Sequence, residues 1–203
     1  EAACDYFTRN PHSTCFSLSP SDGGGWCECE TCKSYYETDP RGKLSVTPAV
    51  IYFYNEVAKL VRPHFPDKIL AGYVYASYVF PPSKPFKLEP NIFLVWAPSF
   101  DYGYTLYRPQ TQELFDSLLP QWPNITTNLA FYDLPNNVAN ALGAPNAPGL
   151  EILQFLYPRI KTHRMKGVYV YGHAAWGHAA ATNYLLAKLA WNPLADVNAL
   201  FRD

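Results

Sequence analysis

No stretch of this chain is apolar for long enough to span a bilayer: charges or prolines break every run well before about 18 residues. An excess of charge of either sign is also missing. Sixteen Lys and Arg stand against 17 Asp and Glu, a net charge of −1. No broad basic surface is implied, which argues against nucleic acid as a partner. Internal repeats and low-complexity linkers are absent, so a single domain over residues 1–203 is the simplest expectation. Cysteine is scarce and odd in number, five in all, so one chain cannot pair every thiol in disulfides. The segment Glu1–Asp5 has neither the basic flank nor the apolar run of a signal peptide, which is compatible with a leader already removed or with a fragment of a longer chain. At 203 residues the chain can bury one substantial core. It is short for a complete (β/α)8 barrel, which typically takes about 250 residues.

Aromatic residues are abundant: 16 Tyr, 12 Phe and 5 Trp. They fit a Tyr-rich core and surface, or flat platforms on which sugar rings stack. Asn124-Ile125-Thr126 is an N-glycosylation triplet placed in a loop, a weak pointer to a secreted or extracellular protein.

Strand-like and helix-like segments alternate. Cys15–Ser19, Lys68–Ser77, Asn91–Ala97, Thr126–Tyr132 (ending at Asp133) and Gly167–Tyr171 read as strands, the last of them buried. Thr47 is placed to cap a helix with Pro48 at its first position, running to Val61 at helical spacing. Pro109–Leu119, Gly149–Lys161 (with Pro158 marking a last turn or a kink), Ala179–Leu189 and Asp196–Phe201 read as further helices, and Leu134–Pro148 as a long loop. Five strands, each followed by a helix or long connection, predict an α/β fold with a parallel sheet of βαβ units. The strand-to-helix loops are long and hold most of the Trp, Tyr, Asp and His, which is the habit of barrels and also of open α/β sheets. The expected architecture is a five-stranded (β/α) unit, the C-terminal part of a TIM-type (β/α)8 barrel.

The segment Ser17–Cys32 carries the most chemistry. A short apolar run, Cys15–Leu18, ends in a polar turn with Asp22, followed by Gly23-Gly24-Gly25, Trp26 and the triplet Cys27-x-Cys29-x-x-Cys32. A carboxylate at a strand end beside a flexible loop and an aromatic is what a sugar-cleaving site needs. Glycoside hydrolysis takes two carboxylates, about 5–5.5 Å apart for retention and about 6.5–9.5 Å for inversion. Asp22, Asp101 and Asp133 each follow a strand and are the candidates. Each also has a plainer reading as a turn residue binding backbone amides. Trp26, Tyr73, Tyr75, Trp96, Tyr102, Tyr104, Tyr132 and Trp176 are candidates to stack on sugar, those on strands, notably Trp96, being equally suited to a core. His173 is placed to hydrogen-bond a sugar hydroxyl; with His178, five residues on, it makes a poor metal pair and reads equally well as a packed loop histidine. The three cysteines are expected to staple the loop, by a disulfide of Cys27 or Cys29 with a distant cysteine in an oxidising compartment or as thiolate ligands of structural zinc with Cys4, Cys15 or His12 as the fourth. Free thiols are the third alternative. Glu28 and Glu30 are expected to face solvent, and no cofactor is required.

The run Phe16–Asp22 with the cysteine triplet, then Tyr54-Asn55-Glu56-Val57-Ala58, then Leu185–Pro193 with its closing Trp191-Asn192-Pro193, resembles the domain of unknown function 4838 family over roughly Thr14 to Arg202. That family is similar to glycoside hydrolase barrels and distantly akin to hexosaminidases and α-glucuronidases. The resemblance implies a barrel and suggests polysaccharide breakdown. Two departures stand out. Hexosaminidase-type barrels carry an adjacent Asp-Glu pair, whereas Gly23 follows Asp22 here; and His173 stands where related chains often have an acidic residue. The expected function is a glycoside hydrolase acting on an oligo- or polysaccharide, with Asp22 as acid/base. The alternatives are a non-catalytic carbohydrate-binding barrel, or a structural subunit that self-associates or joins a partner chain to complete a barrel.

Overall fold

The computed structural model describes residues 1–98, 103–133, 149–170 and 176–202, with the side chains of 103, 104, 133 and 176–178 outside the description. The chain divides into two compact units, Glu1–Ala97 with Asn124–Leu129, and Pro98–Pro123 with Ala130–Asp203.

The first unit opens with α1 (Ala2–Arg9), which buries Ala3 and Phe7. Next come β1 (Cys15–Ser17), the short α2 (Glu30–Lys33) and a hairpin of β2 (Glu37–Thr38) and β3 (Leu44–Ser45). Then α3 (Thr47–Val61) leads to β4 (Ile69–Tyr75), a single 3-10 turn over Ala76–Tyr78, and β5 (Ile92–Ala97). The remaining elements are α4 (Pro109–Leu118), α5 (Trp122–Ile125), β6 (Leu129–Asp133), α6 (Leu150–Thr162), β7 (Val168–Val170), α7 (Trp176–Trp191) and α8 (Val197–Arg202). The main sheet has five strands in the order β1-β4-β5-β6-β7. β1 pairs with β4, β4 with β5 and β6 with β7, all parallel. Sequential order, with helices between β1 and β4, β5 and β6, and β6 and β7 and a 3-10 turn between β4 and β5, is the arrangement of a partial (β/α) barrel, as the strand–helix alternation predicts.

Alternation explains the core of the first unit. Leu70, Gly72 and Val74 of β4 are buried, while Ile69, Ala71, Tyr73 and Tyr75 are less so. The buried stripe of α3 is Val50, Ile51, Tyr54, Ala58 and Val61, at helical spacing. Burying each large side chain of that stripe is worth about 1.5–3 kcal/mol. Tyr54 lies directly over Gly72, where a Cβ would come within 2.3 Å of its ring. Its hydroxyl donates to the Tyr73 carbonyl at 3.1 Å.

Several boundaries differ from expectation. Thr47 is the first residue of α3 and Val46 occupies the cap position; the buried Thr47 hydroxyl is engaged with that of Ser45 at 3.2 Å. β1 stops at Ser17 and β6 begins at Leu129. β7 is not the buried strand its apolar run implied: Tyr169 is 54 % exposed, and periodicity alone could not decide that. Pro158 lies inside α6. The loop 134–148 lies outside the described residues.

Candidate functional site

The pairing of β1 with β4 is prolonged by the Leu18 N–H, which donates to the Ala71 carbonyl at 2.7 Å. Ser19 keeps register through its side chain, its Oγ accepting the Tyr73 N–H at 3.0 Å. The chain then turns. Gly23 and Gly25 have φ of +128° and +84°, a region glycine enters without steric cost. The loop returns with Trp26 against the end of β4. The indole Nε1 donates to Ser77 Oγ at 3.0 Å. Its ring meets Tyr78 edge-on, centroids 5.6 Å apart at 79°. Tyr78 meets Tyr75 the same way, at 6.4 Å and 87°.

Asp22 is exposed in this loop, at the C-terminal end of β1, and Trp26 is half-buried. Burial, and after it the nearby Asp22 carboxylate, pushes the Tyr78 phenol up to about 12. The exposed Asp22 carboxylate and the half-buried Trp26 and Tyr75, backed by the buried Tyr78, therefore share one rim of the first unit, an arrangement able to seat a flat apolar ring face beside a proton donor or acceptor. Between Tyr75 and Ser77, Ala76 has φ +50°. A left-handed non-glycine residue costs roughly 1–2 kcal/mol, and such strain persists where the surroundings over-determine the backbone. Here Tyr75 and Tyr78 are packed and the Ser77 carbonyl accepts the Val46 N–H at 2.9 Å. Ser77 and Tyr78 escaped the sequence reading, although their place directly after a Tyr-rich strand was the available signal.

The cysteines form a second cluster further along the same loop. The sulfurs of Cys27, Cys29 and Cys32 all lie within 4.8 Å of one another, and none is in a disulfide. The Cys32 N–H, and after it the Cys27 thiol, lowers the Cys29 pKa. Hydrogen bonds to Cys27 and Cys29 push Cys32 up to about 11. Cys4 and Cys15, on α1 and β1, and His12 are not in the cluster, which corrects the expectation that one of them supplies a fourth ligand. Glu28 and Glu30 are exposed, as expected.

Of the other sequence candidates, Tyr104, Tyr132, Asp133 and Trp176 belong to the second unit, Trp96 and Asn124 to the first, and Asp101, Tyr102 and His173 lie outside the described residues. Tyr132, on β6, is opposite Tyr169 of β7, ring centroids 4.8 Å apart. Asp133 is the last residue of β6, opposite Val170. Tyr104 falls in a 3-10 turn over Gly103–Tyr107 and Trp176 begins α7; their side chains, with Asp101, Tyr102 and His173, lie outside the description. Trp96 is fully buried and donates to the Val79 carbonyl at 3.0 Å, so of its two readings it takes the core one. Asn124 is exposed but sits in the short α5 rather than a loop. An apolar groove of about 340 Å³ between α1 and α3, lined by Phe16, Phe53, Val57 and Leu60 among others, includes none of the rim residues.

A family model described as domain of unknown function (DUF4838) matches residues 3–203. The chain belongs to the DUF4838 family. No curated protein and no solved structure matches it. The DUF4838 match takes in the rim, the cysteine cluster and every strand of the main sheet. No helix among the described residues is long and apolar enough to cross a membrane.

Proposed function

We propose that this DUF4838 chain is a carbohydrate-active barrel unit that cleaves a glycosidic bond, with Asp22 transferring the proton. The observation that supports this most is the joining of Asp22, Trp26, Tyr75 and Tyr78 at the C-terminal ends of β1 and β4. Ligand sites of parallel α/β sheets form at that end. Sugars present flat apolar faces edged by hydroxyls, which a Trp or Tyr ring and a carboxylate complement together. A sugar lying on Trp26 takes water off the exposed Asp22. A carboxylic acid at that place would protonate a departing glycosidic oxygen. The reaction needs a second carboxylate; Asp101 and Asp133 remain the candidates that the sequence names.

A second reading is a carbohydrate-binding module without turnover. The free Asp22 is solvent-exposed and no Glu adjoins it, which favours that reading. Incubation of the wild-type chain with oligosaccharides from plant, bacterial and animal polysaccharides separates the two. Release of reducing ends supports the hydrolase; binding measured by calorimetry without release supports the module; neither binding nor release contradicts both.

A further inference from the structure

The Cys27, Cys29 and Cys32 sulfurs are arranged as a ligand set. Cys27 and Cys29 place their Sγ atoms 3.4 Å apart, and the third lies within 4.8 Å of both. Tetrahedral zinc with Zn–S bonds of about 2.3 Å sets neighbouring sulfurs about 3.8 Å apart, between those two distances. A disulfide needs about 2.05 Å and uses two sulfurs, leaving the convergence of the third without a role.

Surrounding contacts hold the set in place. The Cys32 N–H points at Cys29 Sγ at 3.5 Å, the kind of outer contact that orients a metal-bound ligand. Tyr36 donates its hydroxyl to the Cys27 carbonyl at 2.8 Å. Trp26, one residue earlier, is tied to Ser77. Both flanks of the ligand segment are thus anchored. Cys27 and Cys29 are exposed, so an ion has an open approach.

We propose that Cys27, Cys29 and Cys32 bind one zinc ion as three thiolates, with solvent water in the fourth position. Binding releases three protons, one from each thiol, and leaves a site of net charge −1. Thiolate is a soft ligand and suits zinc above magnesium or calcium. The ion cross-links the segment Cys27–Cys32, which directly follows Trp26.

The chain, purified without chelator, should contain one equivalent of zinc by elemental analysis. In the native state three of its five thiols should resist alkylation, and all five should react after denaturation with chelator. Cobalt(II) added to chelator-treated protein should give the thiolate charge-transfer and visible bands of a tetrahedral site. Cys29→Ser should weaken cobalt binding by more than about 100-fold, beyond the 10–100-fold typical of outer-contact losses. Cys15→Ser should leave it unchanged. If Cys29→Ser does not fold, the metal content and thiol count of the wild type decide. No metal with three thiols in denatured, unreduced protein means a disulfide and overturns the proposal. No metal with five thiols, and no cobalt bands, overturns it equally.

Discussion

The indole N–H of Trp26 donates to the hydroxyl of Ser77 at 3.0 Å, joining positions 51 residues apart in the chain. One bond ties the loop after β1 to the turn after β4. Its net value should be about 0.5–1.5 kcal/mol. Trp26→Phe keeps an aromatic ring near Tyr78 and removes the donor, and Ser77→Ala removes the acceptor. Each should cost about that amount in urea denaturation, and the double variant should cost less than the sum by the coupling between them. Strict additivity would show that the two side chains do not meet in solution.

Gly72 admits no side chain. A methyl there would sit 2.3 Å from Cε2 and 2.5 Å from Cζ of Tyr54, a ring that is fully buried. Gly72→Ala should therefore destabilise by about 1–3 kcal/mol, the ordinary cost of overpacking a core. Calorimetric melting gives the number. A variant as stable as the wild type would mean that α3 moves off β4 freely.

Asp39 makes stability depend on pH. Its side chain is 2 % exposed. Burial raises its pKa, but the backbone N–H of Lys43, with the side chain and N–H of Arg41, outweighs that and holds the carboxyl below its ordinary value. The folded pKa thus lies under the unfolded value of about 3.9. The stabilisation is present in full above about pH 4 and is lost as pH falls through the folded pKa. Asp39→Asn should cost about 1.5–3 kcal/mol at neutral pH, as hydrogen bonds to a charged acceptor do, and should flatten the acid limb. An unchanged acid limb in denaturant titrations from pH 7 to 2 would contradict this.

The elements most legible in the sequence are those with a long periodic signal. The apolar spacing in α3 and the Val-, Ile- and Tyr-rich run of β4 mark both to within two residues, and the regular alternation of such elements marks the parallel sheet. Short elements are different. The two-residue strands β2 and β3 carry too few residues for a period. The turn between them was nevertheless readable in Asp39-Pro40-Arg41-Gly42, where Gly42 takes φ +76°. α1 rests on tertiary burial of Ala3 and Phe7, which propensity does not report. At the site, Asp22, Trp26 and the three cysteines stand out because their types and spacing are local. Ser77 and Tyr78 do not, because their role depends on a partner 51 or 52 positions away.

If Asp22 protonates a leaving group, the leaving group's own acidity decides how much its loss costs. An alkyl or sugar alcohol departs slowly unless it is protonated, whereas a nitrophenolate departs without help. Steady-state turnover of the wild type and of Asp22→Asn should be measured on a glycoside with each kind of leaving group. General-acid loss typically costs about 10²–10⁴-fold. Proton transfer by Asp22 predicts a drop of that size on the sugar-alcohol substrate and a small one on the nitrophenyl substrate. An equal drop on both substrates, or none on either, would contradict it.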